Sequence, residues 1–89
     1  MTGLRIWKYP VPITDKQYLD IPEGAVFLSV GWQGDSDLQA WALVDPSNDY
    51  ERRHLAIYGT GNPVPHDPGS FIGTVQANGF VWHVFEVAA

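Results

Sequence analysis

Apolar and polar residues alternate with a period of two along most of this chain, the spacing of half-buried β-strands. Residues 4–9 read as a first strand, closed by Pro10 and Pro12, which suit an edge or extended segment. Residues 17–20 form a short second strand, and Ile21-Pro22-Glu23-Gly24 a turn. The clearest strand covers 25–32, with Val26, Leu28, Val30 and Trp32 on one face and Ala25, Phe27, Ser29 and Gly31 on the other. The polar run 33–37 connects it to 38–44 as a hairpin. Asp45-Pro46-Ser47-Asn48-Asp49 makes an exposed turn before a strand at 51–58, where Arg53, Leu55 and Ile57 share a face. Segments 71–76 and Phe80–Val87 flank Ala77-Asn78-Gly79, and Asn-Gly is a strong hairpin signal because both residues tolerate positive φ. Any helix is short, around 15–19 or 47–52.

This pattern predicts one all-β or β-dominated domain over residues 1–89, a small antiparallel sandwich or partly closed barrel with at least five strands. Its expected core is Ile6, Val26, Leu28, Val30, Trp41, Leu43, Leu55, Ile57, Val75 and Trp82. A chain of 89 residues buries a smaller share of its surface than a large domain does. Four Trp, four Tyr and four Phe offset that, yet four indoles are hard to hide in so small a body. At least one is expected at a subunit interface or binding groove, and a homo-oligomer, most simply a dimer, would cover exposed edges or an aromatic face.

Composition narrows the chemistry. Ten acidic against five basic residues give a net charge of −5, which disfavours attachment to duplex nucleic acid or anionic membrane. There is no cysteine, so disulfides and thiolate metal sites are excluded, and no apolar run approaches the roughly 20 residues that span a bilayer. A cytoplasmic location is the default. His54, His66 and His83 have no compact ligand spacing, so no metal site and no cofactor are expected. His83, alternating with Val81 and Phe85, reads as a partly buried, hydrogen-bonded side chain. Asp45 and Asp67 each precede a proline and read as acceptors of turn N–H bonds rather than catalytic carboxylates.

One loop stands out. Tyr58-Gly59-Thr60-Gly61-Asn62-Pro63-Val64-Pro65-His66-Asp67-Pro68-Gly69 combines glycines, which open otherwise closed backbone angles, with prolines that resist collapse. It lacks the lysine and following helix of a phosphate loop. Its backbone N–H groups can still form an anion nest, with Arg52 and Arg53 supplying charge if the strand brings one nearby. The candidate binding residues are therefore Arg52, Arg53, Tyr58, Gly59, Thr60, Gly61, Asn62 and His66. Replacing both arginines by alanine is expected to weaken binding and leave the fold largely intact.

Ile6-Trp7-Lys8-Tyr9-Pro10, Trp41-Ala42-Leu43-Val44-Asp45-Pro46, Ile57-Tyr58-Gly59-Thr60-Gly61-Asn62-Pro63 and the closing Phe80-Val81-Trp82-His83-Val84-Phe85-Glu86 together resemble a family of small, uncharacterised proteins common in tailed-bacteriophage genomes. The resemblance runs from Ile6 to about Val87. It implies a phage accessory protein in the host cytoplasm, without catalysis, that binds and modulates a host protein. The alternative is an oligomeric sponge that sequesters a small nucleotide or other anionic signal used in host defence. Aromatic side chains gathered on an empty pocket would favour the sponge; a flat exposed patch would favour the protein partner.

Overall fold

A computed structural model describes residues 3–34, 37–77 and 79–88. Seven strands follow in order: β1 (Arg5–Pro10), β2 (Lys16–Pro22), β3 (Val26–Gln33), β4 (Asp37–Val44), β5 (Tyr50–Gly59), β6 (Ser70–Ala77) and β7 (Phe80–Val87). They build two antiparallel sheets, β1-β4-β3 and β2-β5-β7-β6, stacked as a sandwich rather than closed into a barrel. Both expected hairpins form, β3 with β4 and β6 with β7. In the second, Gly79 has the positive φ of a tight turn, +84°; Asn78 lies outside the described residues, as do Asp35 and Ser36 of the first turn.

The described residues contain no helix. The segment 15–19 enters β2, and 47–52 runs from a turn into β5. β2 also continues through Ile21 and Pro22, both buried, so the turn sits one step later: Ala25 N–H donates to the Pro22 carbonyl across Glu23 and Gly24.

The core departs from the simple alternation. Leu55, Ile57 and Val75 are buried as expected, and Val30 and Trp82 pack against them. Ile6 is 60% exposed, and Val26 and Leu28 also lie open to solvent. In β3 the cause is a β-bulge between Phe27 and Ser29, where Leu28 is the extra residue and the faces exchange. Phe27 points inward before it, and Val30 and Trp32 point inward after it. In β4 both faces carry apolar residues, with Trp41 and Leu43 opposite the inner Leu38, Ala40, Ala42 and Val44. Its small residues Ala40 and Ala42 face inward beneath bulky neighbours such as Trp7, Tyr9 and Phe27, which leaves Trp41 and Leu43 on the outer face.

A second bulge, between Phe71 and Gly73, lies in β6. The two bulged strands meet at one corner of the sandwich, where the Trp32 indole N–H donates to the Gln76 carbonyl at 2.7 Å. Here sheet twist and the bulges bring two edges together without ladder bonding.

Candidate functional site

The outer face of the four-stranded sheet carries a group of aromatic and hydrogen-bonding side chains, half-buried or exposed. Register assembles it from residues distant in sequence. Tyr18, His54 and Val87 form one cross-strand row. Lys16, Ala56, Phe85 and Phe71 form the next, followed by Tyr58, His83 and Thr74. Alanine in the middle row gives the larger rings room to spread. Phe85 meets Tyr58 at 5.9 Å and Phe71 at 5.4 Å between ring centroids, both in the favourable T-shaped geometry. Phe71 remains 58% exposed. The aromatic groups thus form a flat band across three strands.

Each end of the face has a polar cluster. At one end Arg52 lies over the Tyr18 ring, 3.9 Å from its centroid, and pairs with Asp20 at 3.3 Å. Beside it a shallow groove of about 360 Å³ is bordered by Lys16, Tyr18, His54 and Val87. At the other end the His83 ring stands between two hydroxyls, with Thr60 Oγ1 at 2.7 Å from Nε2 and Thr74 Oγ1 at 2.9 Å from Nδ1. A neutral imidazole donates through one nitrogen and accepts through the other, so the two threonines satisfy both. This is the partly buried, bonded histidine expected from the sequence. A hydroxyl in the position of an orienting carboxylate supplies no charge to stabilise an imidazolium, so the trio serves best as a tie between β6, β7 and the glycine-proline loop.

That loop links β5 to β6 past β7, which lies between them and antiparallel to both. Its ends therefore sit at opposite ends of β7. Thr60 N–H donates to the Val81 carbonyl, whereas Gly69 presses on Glu86, about 17 Å farther along the strand. Gly69 has φ +95°, and a Cβ there would be 2.1 Å from the Glu86 carbonyl oxygen. No other residue fits. Gly61, at φ +90°, and the Asn62 N–H bond to the Gly59 carbonyl close the first turn.

The residues singled out in the sequence consequently divide. Tyr58, Gly59, Thr60, Gly61 and Asn62 lie together at one end, and His66 is exposed in the middle of the loop. Arg52 shares the face of Tyr58 but lies about 20 Å along β5. Arg53 points the opposite way, into the sandwich. Its guanidinium bonds both carboxylate oxygens of Glu86 and one of Glu51, at 3.1 Å, and packs over Phe27. The Glu86 hydrogen bond is the main cause that holds its pKa above the ordinary arginine value. Arg53 is thus a member of an internal ion-pair network, so the double arginine change would remove one exposed charge and one that is largely buried and paired. Only the far end of the loop, Gly69 and Ser70, comes beside the arginines, along a groove of about 320 Å³.

Tyr18, Phe71, Thr74 and Phe85 were absent from the sequence-derived site. For Tyr18, Phe71 and Phe85 the signal was an aromatic residue on the outward face of a strand; Thr74 carried none. Among the described residues no three His, Asp or Glu gather as a metal site, and no helix is long and apolar enough to cross a membrane. No match is found among curated proteins or solved structures. A family model covers residues 2–89, nearly the whole sandwich and all of the face just described, and the chain belongs to that family: Domain of unknown function (DUF7352).

Proposed function

We propose that this chain is a non-catalytic accessory protein of a tailed bacteriophage that binds and modulates a host protein in the host cytoplasm. The observation that carries the reading is the band of Tyr58, Phe85 and Phe71 across the outer face of the sheet, with Phe71 exposed and the other two half-buried, instead of rings converging on an enclosed pocket. Contiguous apolar surface flanked by polar groups marks interaction sites, and aromatic residues are enriched where such interfaces close. The phage origin is supported by the motif resemblance.

Affinity capture from a bacterial lysate tests the reading. The wild type should retain one protein reproducibly, and a Tyr58→Ser/Phe71→Ser variant with an unchanged circular dichroism spectrum should lose it. Absence of a partner, or equal capture by the folded variant, would count against it.

The sponge reading has one observation in its favour, the open groove beside Lys16, Tyr18 and His54, where a base could stack and a phosphate meet the lysine. Mass spectrometry of natively purified, then denatured, protein distinguishes the two: a released nucleotide supports the sponge.

A further inference from the structure

β2 lies at the margin of the four-stranded sheet, and among the described residues no strand pairs with its other side. Ile57 N–H donates to the Asp15 carbonyl, which sets the alternation along the pair. With Gln17 opposite Leu55 and Leu19 opposite Arg53, the odd-numbered residues of β2 bond to β5. The backbone N–H and C=O groups of Lys16, Tyr18 and Asp20 therefore point away from the sheet; apart from the Thr14 hydroxyl, which donates to the Lys16 carbonyl at 3.3 Å, they form a template for another strand. The side chains of these three residues share the outer face, and all are exposed, Tyr18 by 57%.

Charge along this margin is self-complementary. Let a second copy approach antiparallel, with the twofold axis at Tyr18. Lys16 of each copy then stands opposite Asp20 of the other, and the tyrosines meet at the axis. Opposite charges in such positions stabilise a pair of strands, and like charges oppose it. Arg52, already bonded to Asp20 and stacked on Tyr18, flanks the seam from its own strand. The prolines stay clear, because Pro22 falls outside the 16–20 segment.

β1, at the margin of the three-stranded sheet, fails the same test. Its bond from Val11 N–H to the Leu38 carbonyl turns Ile6, Lys8 and Pro10 outward. Centred on Lys8, two lysines would collide in charge, and Pro10, which has no N–H, would face Ile6.

We propose that this protein forms a homodimer through β2, the two four-stranded sheets joining into one eight-stranded sheet with its twofold axis at Tyr18. The contact is isologous and uses each β2 margin once, so it closes at two copies instead of growing. It does not depend on the host-partner reading.

Charge reversal is the test. Sedimentation equilibrium at micromolar concentration should give twice the mass of one chain. Lys16→Asp leaves the Arg52–Asp20 pair in place but sets acid opposite acid at both ends of the seam, and should weaken the dimer about tenfold or more. Asp20→Lys should do the same, and the double exchange Lys16→Asp/Asp20→Lys should restore it. The chain has no cysteine, so Tyr18→Cys can form a disulfide only between copies, at the roughly 5.5 Å Cα spacing of a bonded antiparallel pair. It should cross-link under mild oxidation, and Lys8→Cys should not. A monomeric wild type, a dimer indifferent to the charge reversals, or a Tyr18→Cys variant that fails to cross-link would each overturn the proposal.

Discussion

Gly73 of β6 lies so close to Val30 of β3 that a Cβ built on the glycine would stand 2.8 Å from Val30 Cγ2. The two strands belong to different sheets, so this contact sets how tightly the corner closes. Alanine is ordinarily the better strand residue, since glycine loses more backbone entropy on folding. Here the clash outweighs that gain, because valine is stiff about χ1 and has little room to withdraw. Gly73→Ala should destabilise by about 1–3 kcal/mol, and combination with Val30→Ala should return part of the loss. Urea midpoints for the two single variants and the double variant measure the coupling; strict additivity would place the corner's limit elsewhere.

Arg52 and Arg53 are neighbours with opposite fates. The Arg53 side chain is 19% exposed and holds two carboxylates, whereas Arg52 and Asp20 are each 54% exposed. Arg53→Ala leaves Glu86 without its main partner and should lower stability by about 2 kcal/mol. Arg52→Ala should lower it by less than about 1 kcal/mol. Equal effects in denaturant titration would contradict the internal network.

The Tyr9 hydroxyl is buried and has no hydrogen-bond partner among the described residues. Burial, with Tyr50 adding a smaller effect, raises its pKa above the ordinary phenol value. Tyr9→Phe keeps the packing against Ala42 and removes the unpaired group, so it should stabilise by about 1 kcal/mol. A loss of stability would reveal that the hydroxyl is satisfied in solution.

Asp45 caps its turn by accepting the Ser47 hydroxyl at 2.6 Å and the Ser47 N–H at 3.0 Å. Chiefly through the hydroxyl, these bonds hold its pKa below the ordinary aspartate value. The folded state therefore binds this proton less readily than the unfolded chain. Its stabilising contribution is present at neutral pH and disappears as the pH falls through the lowered value. Ser47→Ala should move the Asp45 carboxyl upward in an NMR titration and make the acid side of the stability profile less steep. An unmoved titration would assign the shift to another cause.

Strand positions and hairpins were legible in the sequence because turn residues and alternation act locally. Face assignment was harder. No local feature announces that Leu28 is an extra residue in β3, yet that one residue exchanges the faces of everything beyond it. β4 has apolar residues on both sides in its second half, and which side is buried depends on the bulk that β1 and β3 supply. For Ile57 and Leu55 the opposite face is more polar, and the reading succeeded. The site divides in the same way. Asp45 and His83 behave as their local surroundings imply. The engagement of Arg53 depends on Glu86, 33 residues away, and the Thr74 contact with His83 depends on the register beyond the second bulge.

β7 occupies the interior of its sheet, between β5 and β6, although it follows both of them in chain order. During synthesis, β5 and β6 have no common neighbour until Val87 has left the ribosome. The loop that joins them arrives before the strand it crosses. Until then β5 exposes a backbone edge that its final neighbour alone will cover, so the nascent chain depends on a late insertion, and a stall near Trp82 would leave that edge open to any other extended segment.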